Sequence, residues 1–267
     1  DNPFNALAAG TLLPGATFEI YNRAGDLVNT VVTDKNGVAK SDTLPLGRYT
    51  IRETKAPMFY SAAAQPIEAE IEFSGQIVRI EVLNQSVYTN VSVSKRGYKQ
   101  VTPSQTIRYD FKNIANNSTV PLNSFYWRDT LPTSAVRLTK IITGTWNQKL
   151  SYKVVYKTNL HDYRTLADNL STMKNYSLDA SPAALGLASN EYVTDFMFVF
   201  GTVKAGFAQV DAPYILCWTN SWLNNGYQFA NRTDVGGLHG GQWIMATDRW
   251  VTTVYKPGVT TLPKTGY

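Results

Sequence analysis

Two stretches near the start of the chain decide the fold: LPGATFEIYN at residues 13–22 and GRYTIRETKAPMFY at residues 47–60. Within each, apolar and polar side chains alternate, as in strands that bury one face. Turn-forming residues such as Ala24-Gly25-Asp26 separate the runs, so the strands are short and antiparallel. Further strand-like runs lie at 27–33, 37–43, 67–73 and 77–84. Residues 1–86 are therefore predicted to form one β-sandwich.

A second, larger all-β domain is predicted over residues 87–256. Its strand-like runs begin with VSVSKRGY at 91–98 and end with RWVTTVYK at 249–256. The polar stretch at 164–187 is expected to be a helical or irregular insertion. Residues 257–267 are predicted to be an extended tail. The predicted fold class is thus all-β, with two tandem Ig-like sandwiches of which the second is larger.

Composition excludes several classes of function. The net charge is +5, but Lys and Arg are scattered, so we predict no nucleic-acid partner. Cys217 is the only cysteine, which rules out an intrachain disulfide, and its apolar neighbours predict a buried, inert thiol. The two histidines, His161 and His239, lie far apart with no ligand spacing around them. We therefore predict no metal, no cofactor and no catalytic residues, and hence not an enzyme.

The sharpest motif is Leu262-Pro263-Lys264-Thr265-Gly266. It resembles the LPxTG sorting signal of Gram-positive surface proteins. The resemblance implies that a sortase cysteine attacks the Thr265 carbonyl and passes the acyl group to an amine of peptidoglycan or of another pilin subunit. The implied localisation is secreted and cell wall-anchored, at the cell surface or in a pilus. The hydrophobic segment and basic tail that follow the signal in that family are expected beyond Tyr267.

The first domain resembles the Cna-B or SpaA-type, prealbumin-like domains of Gram-positive adhesins and pilins. The matching positions are Leu13, Gly15, Ala16, Phe18, Asp34, Asn36, Gly37, Tyr49, Glu53, Ala56, Pro57 and Tyr60, whereas Phe59 stands where the family has Gly. In that family a Lys and an Asn form an intramolecular isopeptide bond with help from a Glu. The resemblance assigns Glu53 and Asn84 to these roles, and strand parity predicts that both side chains point inward.

The Lys of the first domain is not present at the family's position. No Lys occurs between Asp1 and Asp34. The family places this Lys on the first strand, upstream of the run at 13–22. Either that strand precedes Asp1, or this domain forms no bond.

The second domain resembles the larger Cna-A-type or DUF11-like sandwiches. There a first-strand Lys, an Asp before a Leu-Pro and an Asn on the closing strand form the crosslink. By parity Lys95 shares a face with Val91 and Val93, Asp129 with Trp127, and Asn231 with Phe229. We predict Lys95 as nucleophile, Asp129 as proton-relaying acid and Asn231 as acceptor, with Asn220 as the alternative acceptor. The competing interpretation is a buried Lys–Asp ion pair with a hydrogen-bonding Asn, or a Lys95 that extends to the strand end.

These features predict an extracellular structural or adhesive protein: a tip or basal pilin, or a surface adhesin, stabilised by an intramolecular isopeptide bond. Two alternatives stay open. The chain could be the stalk of a wall-anchored enzyme, or a shaft pilin whose polymerisation Lys lies upstream. Sortase is the expected processing partner, and a host extracellular-matrix protein or glycan is a further candidate partner.

Overall fold

The computed structural model describes Asn2 and residues 4–258 of the chain. These residues divide into two compact units, Asp1–Tyr88 and Thr89–Tyr267. No helix occurs within the described ranges, and strands dominate both units, which confirms the predicted all-β fold class. In the described part of the chain, nothing has the length and apolar character of a membrane-spanning helix.

The first unit is built around a four-stranded antiparallel sheet in the order β2-β1-β3-β5, with a separate β4–β6 pair. Its strands are β1 (Thr17–Asn22), β2 (Leu27–Val32), β3 (Gly47–Lys55), β4 (Tyr60–Ser61), β5 (Ile67–Ile71) and β6 (Gln85–Ser86). The core comes from alternate positions of β1 and β3: Phe18, Ile20 and Tyr49 are buried. The Tyr49 hydroxyl donates to Pro45 O at 2.6 Å, so the buried ring keeps a polar partner.

The strands predicted at 37–43 and 77–84 are not formed. A strand needs a neighbouring backbone to accept and donate its ladder hydrogen bonds. Neither segment has such a neighbour among the described residues, and Val38, Ile77 and Leu83 are exposed. Alternation alone could not distinguish these segments from β1 and β3, because it reports side-chain pattern and not the presence of a partner strand.

The second unit is a sandwich of a seven-stranded and a five-stranded sheet. The larger sheet has the order β13-β12-β15-β10-β17-β18-β8, and the smaller has the order β14-β11-β16-β9-β7. The strands are β7 (Val91–Gly97), β8 (Gln100–Val101), β9 (Thr106–Asn116), β10 (Leu122–Thr130), β11 (Val136–Ile142), β12 (Ser151–Thr158), β13 (Arg164–Ser171), β14 (Ser177–Asp179), β15 (Val193–Val203), β16 (Tyr214–Thr219), β17 (Gln228–His239) and β18 (Gln242–Val254).

The prediction of a helical or irregular insertion at 164–187 is wrong. β13 extends the larger sheet beside β12, and β14 extends the smaller one beside β11. Residues 172–176 and 180–187 lack strand structure. Both strands lie at sheet edges, where polar side chains face solvent and give no apolar alternation. Pairing with an adjacent strand therefore overrides the local helix preference of this sequence.

Aromatic side chains fill the space between the two sheets. Trp127 of β10 is fully buried and meets Phe111 of β9 and Phe198 of β15, each with ring centroids 4.6 Å away. Its indole N–H donates to Thr233 Oγ1 at 2.8 Å, so the ring is fixed by packing and by a hydrogen bond. Alternation along each strand points these side chains inward. Polar side chains at equivalent positions of the same strands point inward as well.

Gly144 is required by a close backbone approach in the second unit. Its φ is +67°, and a Cβ there would lie 2.2 Å from Asp211 O. Gly186 has nearly the same φ, +63°, but nothing lies within 4 Å of its would-be Cβ. Comparing the two glycines therefore distinguishes the cost of backbone strain from the cost of steric overlap.

We expect Gly144→Ala to lower the free energy of unfolding by more than about 3 kcal/mol, because the loop must move away from Asp211. Gly186→Ala serves as the matched control and should cost only about 1–2 kcal/mol, from left-handed backbone strain. Urea denaturation followed by tryptophan fluorescence measures both. Equal losses for the two variants would contradict the steric argument.

Candidate functional site

Lys95, Asp129 and Asn231 meet in the core of the second unit. Lys95 projects from β7 of the smaller sheet, whereas Asp129 (β10) and Asn231 (β17) project from the larger sheet. Each has 0% relative exposure. Their neighbours on the same strand faces, such as Val93 and Trp127, are apolar and buried. Three polar side chains are thus placed in an interior otherwise built from hydrophobic groups.

Strand register brings the two residues of the larger sheet together. In the β10–β17 ladder Asp129 pairs with Thr233, and Thr130 pairs with Arg232. Asn231 is therefore the diagonal neighbour of Asp129 on the inner face. Diagonal neighbours in an antiparallel pair lie about 7–8 Å apart at the backbone, within reach of each other's side chains.

The Lys95 amine is held between a carboxylate and two aromatic rings. Its Nζ forms an ion pair with Asp129 Oδ1 across the sandwich. It also lies 4.0 Å from the ring centroid of Phe111 and 4.9 Å from that of Tyr109. The backbone N–H of Lys95 donates to Asp248 Oδ2 at 2.6 Å, which ties β7 to β18. Both the amine and its strand are held in place.

Burial shifts both titratable groups toward their neutral forms. Removal from water lowers the pKa of Lys95, although the Asp129 carboxylate opposes this shift. Removal from water likewise raises the pKa of Asp129, against the opposing effects of Lys95 and of the nearby Asn231 amide. A neutral amine beside a protonated carboxyl is what nucleophilic attack with proton relay requires.

The site also concentrates unsatisfied polar atoms. Asp129 Oδ2, Asn231 Nδ2 and Asn231 Oδ1 are buried and make no hydrogen bond with good geometry to any described residue. Each such atom costs about 1–3 kcal/mol of desolvation. Native proteins rarely leave buried polar atoms without hydrogen bonds. Three such atoms around one ion pair therefore mark this group as a candidate reactive site.

Asn220, the alternative acceptor, lies elsewhere. Its side chain is 3% exposed and its Nδ2 donates to Ser134 O at 3.0 Å, while its backbone N–H donates to Ala135 O at 2.8 Å. β16 ends at Thr219, so Asn220 does not continue the outward face of Trp218. With its amide already bonded to the loop at 134–135, Asn220 is the less suitable acceptor.

In the first unit, Glu53 and Asn84 are brought together. Asn84 Nδ2 donates to Glu53 Oε1 at 2.9 Å and to Oε2 at 2.8 Å, and Glu53 Oε2 also accepts from Ala63 N at 2.7 Å. Both side chains are half-buried. No described Lys reaches this pair by hydrogen bond or ion pair, in keeping with the sequence.

Sequence reasoning missed Asp248. It shares the inner face of β18 with Ile244, Ala246 and Trp250, so alternation in that strand was the available signal. Elsewhere, no group of three His, Cys, Asp or Glu side chains suited to a metal occurs in the described ranges. The predicted sorting motif, Leu262 to Gly266, lies outside the described residues.

Comparison with known proteins identifies the first unit. Residues 8–86 match the family of SpaA domains with a prealbumin-like fold. A trypsin-resistant surface T6 protein of Streptococcus pyogenes serotype M6 is 41% identical over 58 residues, which is 22% of this chain and only 11% of that relative. The first unit is thus a SpaA-type domain, which confirms the resemblance predicted for residues 1–86.

Two solved structures also resemble the chain. A D312A variant of BcpA, the major pilin subunit of Bacillus cereus, aligns over 92% of this chain and 66% of its own, with 14% identity and a TM-score of 0.36. The major pilin SpaD of Corynebacterium diphtheriae aligns over 92% and 63%, with 18% identity and a TM-score of 0.30. The chain therefore spans a little under two thirds of each pilin.

We expect Cys217 to be unreactive in the folded protein. Its thiol is fully buried beside the Lys95–Asp129 pair, and burial raises its pKa far above the ordinary value, so no thiolate forms at neutral pH. Labelling with iodoacetamide at pH 8 should leave the native chain unmodified and alkylate it fully in guanidinium chloride. Rapid labelling without denaturant would show that the interior around Lys95 opens readily.

Proposed function

We propose that this chain is part of a secreted, sortase-anchored structural protein of a Gram-positive cell surface, a pilin subunit or an adhesin. We further propose that its second unit is stabilised by an isopeptide bond between Lys95 and Asn231. The observation that carries the crosslink is the fully buried Lys95–Asp129–Asn231 group, with three unsatisfied polar atoms. The SpaA-type first unit and the similarity to a streptococcal surface protein support the surface role.

The chemistry follows from the arrangement of these groups. The neutral Lys95 amine attacks Asn231 Cγ, while protonated Asp129 donates a hydrogen bond to the carboxamide oxygen and stabilises the developing negative charge. Asp129 then relays a proton from the former lysine nitrogen to Nδ2. The Cγ–Nδ2 bond breaks and ammonia leaves. One amine and one carboxamide become one secondary amide and one ammonia, and no oxidant or cofactor is needed.

The crosslink would also lower the desolvation cost of the buried polar groups. An amide replaces a buried amine and a buried carboxamide, so the interior no longer holds the Lys95 charge. A covalent link between strands that are far apart in sequence also restricts the unfolded chain. By analogy with a disulfide that closes a loop of more than 100 residues, this restriction is worth about 4–5 kcal/mol.

We expect the intact mass of the purified chain to be lower by one ammonia, with Lys95 and Asn231 in one branched peptide after proteolysis. Lys95→Arg, Asn231→Ala and Asp129→Ala should each restore the full mass and lower the melting temperature by roughly 10 °C or more. Asn220→Ala is the matched control and should keep the deficit. An unshifted wild-type mass would reduce the group to an ion pair, and a branch at Asn220 would reassign the acceptor.

The anchoring proposal has its own test. A class of sortase that recognises LPxTG, supplied with a triglycine peptide, should cleave between Thr265 and Gly266 and replace Gly266-Tyr267 by the peptide. Mass spectrometry measures the exchange. Pro263→Ala should reduce the rate at least tenfold, whereas Lys264→Ala, at the variable position of the motif, should leave it nearly unchanged. Failure of the wild-type chain to exchange would remove the sorting role without affecting the crosslink.

Peptidoglycan and other pilin subunits are the acceptors that fit this role. A shaft pilin requires an accessible Lys to receive the next subunit, and a tip or basal pilin or a stand-alone adhesin does not. We favour a tip or basal pilin or a stand-alone adhesin, and a shaft pilin whose polymerisation Lys lies upstream stays an alternative. An enzyme stalk is the remaining alternative and would require a catalytic module joined to these units.

A further inference from the structure

An arginine without an acidic partner lies on the outer face of the smaller sheet. Arg137 of β11 is half-buried between aromatic rings, with its guanidinium carbon 4.3 Å from the ring centroid of Tyr192 and 5.9 Å from that of Trp222. It donates hydrogen bonds to two backbone carbonyls, those of Thr133 and Val136. No described carboxylate pairs with it. A cation is thus partly desolvated with no opposite charge beside it.

A second arginine on the same face shows the contrast. Arg108 of β9 lies 3.7 Å from the ring of Tyr214, and its Nε donates to Asp110 Oδ1 at 2.8 Å. The Asp110 bond raises the pKa of Arg108, whereas partial burial lowers the pKa of Arg137. Both arginines stack on aromatic rings, but among the described residues only Arg108 has a carboxylate beside it. Arg137 is the one left to bind an external anion.

Two exposed tryptophans complete the surface around Arg137. Trp218 lies directly opposite Arg137 in the β11–β16 ladder and is 45% exposed, and Trp222 is 64% exposed. Neither indole N–H donates a hydrogen bond to any described residue. Tryptophan rings are usually largely buried in folded proteins. Two exposed rings beside a cation that no described carboxylate pairs with therefore form a candidate ligand-binding surface.

We propose that Arg137, Tyr192, Trp218 and Trp222 bind a carboxylated carbohydrate. The guanidinium would donate two hydrogen bonds to the carboxylate oxygens. The indole rings would stack on the apolar faces of the sugar rings, and their N–H groups would donate to sugar hydroxyls. The net charge of +5 favours an acidic ligand over a neutral one.

The same geometry disfavours an extended peptide. β16 lies between β11 and β9, so its backbone hydrogen bonds are used on both sides and cannot receive an added strand. Recognition here must come from side chains of β11, β16 and the adjacent loops, which suits sugar rings. The inference goes beyond the proposed crosslink and does not depend on it, although a surface location is what gives such a site access to glycans.

The experiment uses the whole 267-residue chain. Hyaluronan tetrasaccharide and 3′-sialyllactose serve as carboxylated probes, with lactose as the neutral control and hexaglutamate as the acidic peptide. Titration calorimetry and tryptophan fluorescence report binding. We expect at least one carboxylated sugar to bind at least tenfold more tightly than lactose or hexaglutamate, with a change in tryptophan emission.

The variants locate the site. Trp222→Ala and Trp218→Ala remove exposed rings and should weaken binding at least tenfold without loss of folding, as checked by circular dichroism. Arg137→Lys keeps the charge but loses the two-pronged geometry, and should weaken binding about tenfold. Trp243→Ala is the matched control, because Trp243 is 54% exposed on the other sheet, and it should bind normally. Asn231→Ala should also bind normally, which separates this site from the crosslink.

Three results would overturn the proposal. The first is that neither carboxylated sugar binds. The second is that Trp222→Ala and Trp218→Ala bind as tightly as the unaltered chain, which would place any binding elsewhere. The third is that hexaglutamate binds more tightly than the sugars, which would make the partner an acidic protein segment.

Discussion

The ion pair between Lys95 and Asp129 is the contact on which the second unit depends. It joins the two sheets at the point where Phe111 and Trp127 pack, and it places two ionisable groups where water cannot reach. Removing either partner alone would leave a buried charge or an unpaired polar group, at a cost of about 3–5 kcal/mol. The surrounding aromatic core therefore constrains the pair, and the pair constrains the distance between the sheets.

Each unit brings a carboxyl and a carboxamide together, but the two pairs differ in burial and in hydrogen bonding. In the first, Glu53 and Asn84 are half-buried and joined to each other by hydrogen bonds. In the second, Asp129 and Asn231 are fully buried and leave three atoms unsatisfied. Burial shifts the pKa values of Lys95 and Asp129 toward the neutral forms that the proposed crosslink requires. The proposed crosslink therefore needs an amine in the same buried environment as the carboxyl and the amide, and the described residues provide one only in the second unit.

Much of the fold and of the candidate site could be predicted from the sequence, because the alternation of side chains along a strand is a local property. The inward positions of Lys95, Asp129 and Asn231 follow from alternation within β7, β10 and β17. Pairing is not local, and the failures lie there: residues 77–84 alternate but have no partner strand, whereas β13 has little alternation and does have one. Alternation does not place the Asn220 side chain, because β16 ends one residue before it. Arg137 gave no sequence signal, since its lack of a carboxylate becomes visible only in three dimensions.

Lys95 and Asn231 lie near opposite ends of the second unit, four residues into its first strand and on its penultimate one. A pulling force applied along the chain would enter through β7 and leave through β18. With a covalent link between β7 and β17, the load would pass directly from Lys95 to Asn231. The roughly 135 residues between Lys95 and Asn231 would bear no tension. Without the link, they could unfold to about 450 Å of extended chain. The unit would then resist extension over most of its length, because only the residues outside the 95–231 loop would carry the load.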